Sequence, residues 1–141
     1  MTSTAARPIT ADIPQLAIAG ALLEALAARD FERLAETLAA DVTLQALVPI
    51  GLKTWEGPAE VAAAFAGWYG DATSFELMEA VVGEVGVRLH LQWRVRLRAE
   101  RLGPGWFQVE QHAYADTDPA GRIAALRLLC SGYCAEACAD R

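Results

Sequence analysis

The stretch VRLHLQWRVRLR at residues 87–98 alternates almost without error. Val87, Leu89, Leu91, Trp93, Val95 and Leu97 stand against Arg88, His90, Gln92, Arg94, Arg96 and Arg98. Side chains leave a β-strand on opposite faces with period two, so this is a long strand with one oily face and one charged face. A second strand, residues 106–115, follows Gly103-Pro104-Gly105, and a third, residues 122–131, follows Asp116-Thr117-Asp118-Pro119-Ala120-Gly121. The chain therefore ends in an amphipathic three-stranded meander whose oily side needs a cover.

Upstream segments supply that cover. Asp12 is placed to cap a helix beginning near Ile13 and Pro14, with Leu16, Leu22, Leu23 and Leu26 as its apolar stripe. Asp30 caps a second helix carrying Phe31, Leu34 and Leu38. A short strand at 42–48 is broken by Pro49 and Gly51. Gly57-Pro58 opens a third helix at 59–69, with Val61, Phe65 and Trp68 on its inner face. Residues 74–82 read as a strand with Phe75, Leu77, Glu79 and Val81 on one side. The order α-α-β-α-β-β-β-β predicts an α+β fold with helices gathered on one face of a bent sheet. Residues 1–11 read as a flexible leader, 12–133 as the domain and 134–141 as a tail.

A chain of 141 residues is one domain with a single core. Its apolar share of 54% and mean hydropathy of +0.21 are high, which predicts that some surface meets a second subunit, a homodimer formed through the sheet. A net charge of −6 and pI near 4.8 argue against nucleic acid as a partner. No basic-then-apolar leader is visible, and no apolar run approaches the roughly 20 residues that span a bilayer, so a cytoplasmic address is expected. Cys130, Cys134 and Cys138 are an odd number crowded at one end, which is not a disulfide framework. No spaced histidine completes a metal set with them, and neither metal nor cofactor is expected.

Pairing Leu97 with Phe107 and Ala115 with Arg122 gives the meander a consistent register. One face then holds Leu89, Leu91, Trp93, Val95 and Leu97, with Phe107, Val109, Gln111, Ala113, Ala124, Leu126, Leu128 and Cys130. The other holds Arg94 beside Glu110 beside Arg127, flanked by Gln92, His112, Arg96, Gln108, His90 and Tyr114. A slip of one residue would exchange the faces of a strand. Gln111 stands out on the oily side. An unpaired buried amide costs about 1–3 kcal/mol, so it needs a partner, either a nearby backbone group or a ligand.

The two helices and strand of residues 21–48, with Ala40-Asp41-Val42-Thr43-Leu44 at the strand start, resemble the NTF2-like superfamily. So do Glu56-Gly57-Pro58 opening the third helix and the acidic-Gly turn within residues 114–123. That group includes nuclear transport factor 2, ketosteroid isomerases, limonene epoxide hydrolase and SnoaL-type polyketide cyclases. Residues 110–114 and 129–133 resemble stretches in its bacterial members, a likeness that carries no activity with it. The resemblance covers roughly residues 12–133 and implies a cone: a curved mixed or antiparallel sheet, roofed by three helices, enclosing a ligand pocket. By position, the isomerases' helix-one tyrosine falls at Leu22, their proton-shuttling aspartate near Ala46 and their proton-donating aspartate at Gln111. None of these acid–base groups survives, and an amide cannot abstract a proton. The inward Asp-Arg-Asp set of the epoxide hydrolase is absent. The inward carboxylate or imidazole of a cyclase is missing too, since Glu110 and His112 point outward in this register.

The expected pocket wall is Leu22, Ala46, Phe65, Trp68, Met78, Trp93, Gln111 and Cys130. Cys130 there is either a small hydrophobe or a reactive thiol. An alternative polar site gathers Arg94, Glu110, His112 and Arg127, with His112 as base and Glu110 as its orienter; the other reading of that set is a cross-strand charge ladder. Two functions follow. The first is an enzyme of the cyclase, isomerase or hydrolase kind acting on a hydrophobic metabolite. The second is a non-catalytic ligand-binding or dimerisation module. An inward carboxylate or histidine favours the enzyme, and a pocket without one favours binding.

Overall fold

The computed structural model describes residues 3–136, with side chains from Leu16 onward. The elements run α1 (Ser3–Ala28), α2 (Phe31–Glu36), β1 (Leu38–Val48), β2 (Gly51–Glu56), α3 (Pro58–Tyr69), β3 (Ser74–Val85), β4 (Arg88–Arg98), a 3-10 turn at Glu100–Leu102, β5 (Phe107–Thr117), β6 (Ile123–Cys130) and β7 (Cys134–Ala135). They form one mixed, open seven-stranded sheet in the order β2-β1-β6-β5-β4-β3, with β7 pairing β5. β1 and β6 are parallel and the other pairs antiparallel. Helix α1 is already under way at Asp12, so that residue is no N-cap. Asp30 is one: its carboxylate accepts the Arg33 backbone N–H at 3.1 Å.

The inner face is as oily as the alternation requires. Leu89, Leu91, Trp93, Val95 and Leu97 are all buried, and Phe65, Val61, Leu22 and Leu26 from the helices close over them. Leu97 lies opposite Phe107, Trp93 opposite Gln111 and Arg94 opposite Glu110, as the meander register predicts.

Between β5 and β6 the register differs from expectation. Ala115 pairs with Leu126, not Arg122, because β5 extends to Thr117 and the turn is tight. The Asp118 N–H donates to the Arg122 carbonyl at 2.8 Å, and the Asp118 carboxylate accepts the Arg122 N–H at 3.0 Å. The slip is four residues. An even slip keeps every side chain on its face but changes its neighbours. Arg127 therefore faces Tyr114 and leaves the Arg94–Glu110 pair, while Cys130 faces Gln111 and not Phe107. An irregularity at the start of β6 also sends Ile123, rather than Ala124, into the core.

β3 carries a second correction. A bulge between Leu77 and Glu79 reverses the alternation, so Phe75 and Leu77 pack inward while Glu79 and Val81 face out. Strand β2 hairpins back on β1 through Pro49 and Ile50, beyond the break that Pro49 and Gly51 predict. Strand β7 falls in the expected tail.

The α3 C-terminus is held unusually firmly. Helix ends leave carbonyls without intrahelical donors. Here the Arg29 guanidinium donates to the Tyr69 and Ala72 carbonyls, at 3.2 and 2.8 Å. Tyr133 Oη and Arg101 Nη2 donate to the Trp68 carbonyl, at 2.7 and 3.0 Å. The chain reaches Tyr133 through Gly132, whose φ of 80° is left-handed and whose missing Cβ would sit 2.6 Å from Pro49 Cγ. Gly132→Ala is expected to cost about 1–2 kcal/mol from left-handed strain alone. A lower urea midpoint with an unchanged slope would report it.

Candidate functional site

Three elements converge on one side chain. Gln111, from the middle of β5, is 0% exposed. Its Oε1 accepts from Tyr69 Oη of α3 at 2.8 Å and from Trp93 Nε1 of β4 at 2.7 Å. An indole N–H can only donate, so the amide oxygen must be the atom that meets it and the amide cannot be turned over. That leaves Gln111 Nε2, fully buried and with no acceptor.

Gln111 borders a cavity of about 430 Å³, within the roughly 300–1,000 Å³ usual for small-molecule sites. The Val48-Pro49-Ile50 turn forms one wall, Trp68 and Tyr69 a second, Val109, Gln111 and Cys130 the sheet floor, and Gly132 and Tyr133 a fourth side. Trp68 stands edge-on to both Phe65 and Trp55, which fixes its ring. Cys130 Sγ accepts the Gly132 N–H at 3.4 Å. Among these lining residues there is no carboxylate and no imidazole; the ionisable groups are the phenols of Tyr69 and Tyr133 and the Cys130 thiol. Burial, and to a lesser degree the neighbouring Cys130 and Tyr133, holds the Tyr69 phenol well above its ordinary pKa, despite the opposing hydrogen bond within its network.

Of the expected pocket wall, Trp68, Gln111 and Cys130 are brought together around this cavity. Trp93 does not line it but is hydrogen-bonded to Gln111, which does. Leu22, Ala46 and Phe65 lie deeper, in the core behind it. Met78 does not join them: it sits at the β3 bulge and is 50% exposed. Tyr69 was missed, although Val61, Phe65 and Tyr69 stand four residues apart and so share one helix face. Tyr133 and the Pro49 turn carried no signal, because only the fold carries them to the mouth.

The alternative polar set lies on the opposite face of the sheet. There a shallower, open groove of about 790 Å³ is lined by Arg94, Gln108, Glu110, His112 and Ser131, with Leu47 and Leu129 at its apolar end; Cys130 borders it as well. His112 Nε2 and Glu110 Oε2 are 2.9 Å apart, while His112 Nδ1 approaches His90 Nε2 at 3.5 Å. Arg94 binds Glu79 at 2.9 Å and reaches Glu110 only at 3.8 Å. Arg127 is not among them. Of the three cysteines, Cys130 and Cys134 are free thiols, and Cys138 lies outside the described residues. Among the described residues no cluster of three or more His, Cys, Asp or Glu side chains is arranged to hold a metal ion.

The sequence matches the model of the SnoaL-like domain over residues 19–126. The chain belongs to the SnoaL-like family. Its fold is the NTF2-like α+β cone, shared with many solved structures. A candidate polyketide cyclase from Xanthomonas campestris is 20% identical, with 82% of this chain and 89% of that one covered, at a TM-score of 0.65. An LEH-like epoxide hydrolase from Mycobacterium tuberculosis is 21% identical, covering 84% and 83%, at 0.62. A Catenulispora acidiphila protein with a ketosteroid isomerase-like fold, in complex with trimethylamine, is 18% identical, covering 82% and 85%, at 0.67. Likeness at these identities establishes the SnoaL-like fold alone. No curated protein matches the chain.

The raised Tyr69 pKa has a consequence for stability. An unfolded chain releases that proton near the ordinary value of 10.0, whereas the folded chain keeps it. The folded state then binds more protons, so this contribution is complete below the ordinary value and is lost as pH climbs toward the folded one. The unfolding free energy is expected to fall as the pH rises past 10, and Tyr69→Phe to flatten that slope. Urea titrations of both proteins across this range provide the check, and equal slopes would contradict it.

Proposed function

We propose that this SnoaL-like chain is a receptor for an apolar small molecule, which it holds by a carbonyl-type oxygen against Gln111. The buried, unpartnered Gln111 Nε2 carries the reading. A donor shut away from water without an acceptor costs about 1–3 kcal/mol, and a ligand oxygen that displaces the cover over it and accepts from it recovers that cost. Apolar walls of Val48, Pro49, Ile50, Trp68 and Val109 supply the remaining affinity. Polyketides, named for the Xanthomonas neighbour, are carbon chains bearing carbonyls and fit that description. Proton-transfer chemistry of the isomerase or cyclase kind is the weaker reading. The groups able to perform it, Glu110 and His112, stand on the far side of the sheet.

A matched pair of ligands tests the pocket. A cyclic ketone and the hydrocarbon of the same ring size differ only in the acceptor. The ketone is expected to bind at least about tenfold more tightly, as one recovered hydrogen bond implies. Trp68 fluorescence would follow the titration. Gln111→Leu should erase the difference between the two ligands. Equal affinities in the native chain would overturn the reading.

We also propose a homodimer through the outer face of the sheet. Leu47 and Leu129, paired across β1 and β6, are 49% and 51% exposed there and adjoin the polar groove. Leu129→Glu is expected to shift sedimentation from dimer to monomer. A native chain that sediments as a monomer at micromolar concentration would refute the assembly.

A further inference from the structure

We propose that Cys130 makes the cavity a trap for α,β-unsaturated carbonyl compounds, joining them covalently by conjugate addition. This rests on the reading of Gln111 as the carbonyl-binding group and adds a second anchor to it. Cys130 and Gln111 are directly opposed residues of β6 and β5 on the same face of the sheet, and both line the cavity. Directly opposed residues have Cβ atoms about 4.5–5.5 Å apart. The thiol and the amide therefore approach a bound molecule from adjacent points of one wall. The Gly132 N–H, donating to Sγ at 3.4 Å, fixes the direction of the sulfur. The amide is fixed by Trp93 and Tyr69, so the spacing between donor and nucleophile is set by the fold.

An enone matches that spacing chemically. Its oxygen and its electrophilic β-carbon lie at the two ends of one flat conjugated unit. With the oxygen accepting from Gln111 Nε2, the sulfur of ionised Cys130 adds to the β-carbon. The C–S bond forms as the C=C π bond breaks, and that electron pair moves through the carbonyl carbon onto oxygen. The resulting enolate oxygen gains charge and is stabilised by the Nε2–H from which it accepts. The α-carbon then takes a proton from water, replacing the one the thiol released. Thiol and enone give a β-thioether ketone, with no oxidant, reductant or further reactant. The saturated ketone lacks the β-electrophile and binds without reacting. Cys134 is exposed and lies outside this cavity, on the outer groove away from Gln111.

Cyclohexenone, with cyclohexanone as its saturated counterpart, tests the idea on the full chain at neutral pH. Intact mass and peptide mapping would give a labelling rate for each of the three cysteines. Cys130 is expected to react at least about tenfold faster than Cys134, and Gln111→Leu to lose that advantage by a similar factor. Excess cyclohexanone should slow labelling at Cys130 and leave Cys134 unaffected. Cys130→Ser should abolish the fast labelling, leave that of Cys134 unchanged and still bind cyclohexanone. Labelling of Cys134 as fast as Cys130, or labelling of Cys130 that cyclohexanone does not slow, would overturn the trap. Cyclohexanone that binds while no adduct forms would sink the trap and leave the pocket standing. Absence of cyclohexanone binding would sink both.

Discussion

Gln111 Oε1 accepts two hydrogen bonds, one from the helical roof and one from the neighbouring strand, and much of the site's character follows from that junction. The Trp93 indole has no lone pair to offer, so it dictates which end of the amide faces it. Tyr69, kept protonated by burial, donates from α3 to the same oxygen. The amide nitrogen is then left buried without an acceptor, on a residue that borders the apolar cavity. In a low-dielectric interior an unmet donor is costly, and a satisfied one is correspondingly strong. The polarity of the cavity is thus set by a tryptophan whose role looks at first like simple core filling.

The junction works only because α3 is held still. Arg29, Arg101 and Tyr133 come from three separate parts of the chain to occupy the carbonyls at the end of that helix. Arg101 is in turn fixed by Asp71 at 2.6 Å, and the same contact holds the Asp71 carboxyl below its ordinary pKa. Tyr69 and Trp68 belong to that last turn. Their positions at the cavity wall are therefore inherited from the capping of the helix, and Gly132 brings Tyr133 close enough to take part by packing flat on Pro49.

The sheet separates two kinds of chemistry by its own thickness. Its inner face carries neutral donors and a thiol; its outer face carries Arg94, Glu79, Glu110, His112 and the Arg96–Glu136 pair. Trp106 stacks on Arg96 at 3.8 Å on that charged side. An alternating strand cannot present an acid on both faces at one position. Position 111 offers an amide to the inner face, and the neighbouring carboxylate and imidazole are one residue away and pointing outward.

Much of this was legible in residues 87–98. Period-two alternation gave the faces of β4, and sterics carried that assignment to β5 and β6 even though the β5–β6 pairing is four residues from the expected one. Faces depend on parity, and an even shift conserves it. Neighbours depend on the register itself, which is why Arg127 was misplaced beside Glu110 and Cys130 beside Phe107. The β3 bulge broke parity locally, and nothing in Leu77-Met78-Glu79 announces an extra residue. By itself, then, the sequence determined the α+β architecture, the oily and charged faces and the inward glutamine, because these follow from local periodicity. The tertiary structure alone decided that Gln111 meets Tyr69 and Trp93, that Cys130 lies opposite it, and that Pro49 and Tyr133 close the cavity, because these contacts join residues distant in sequence through turn geometry and helix capping.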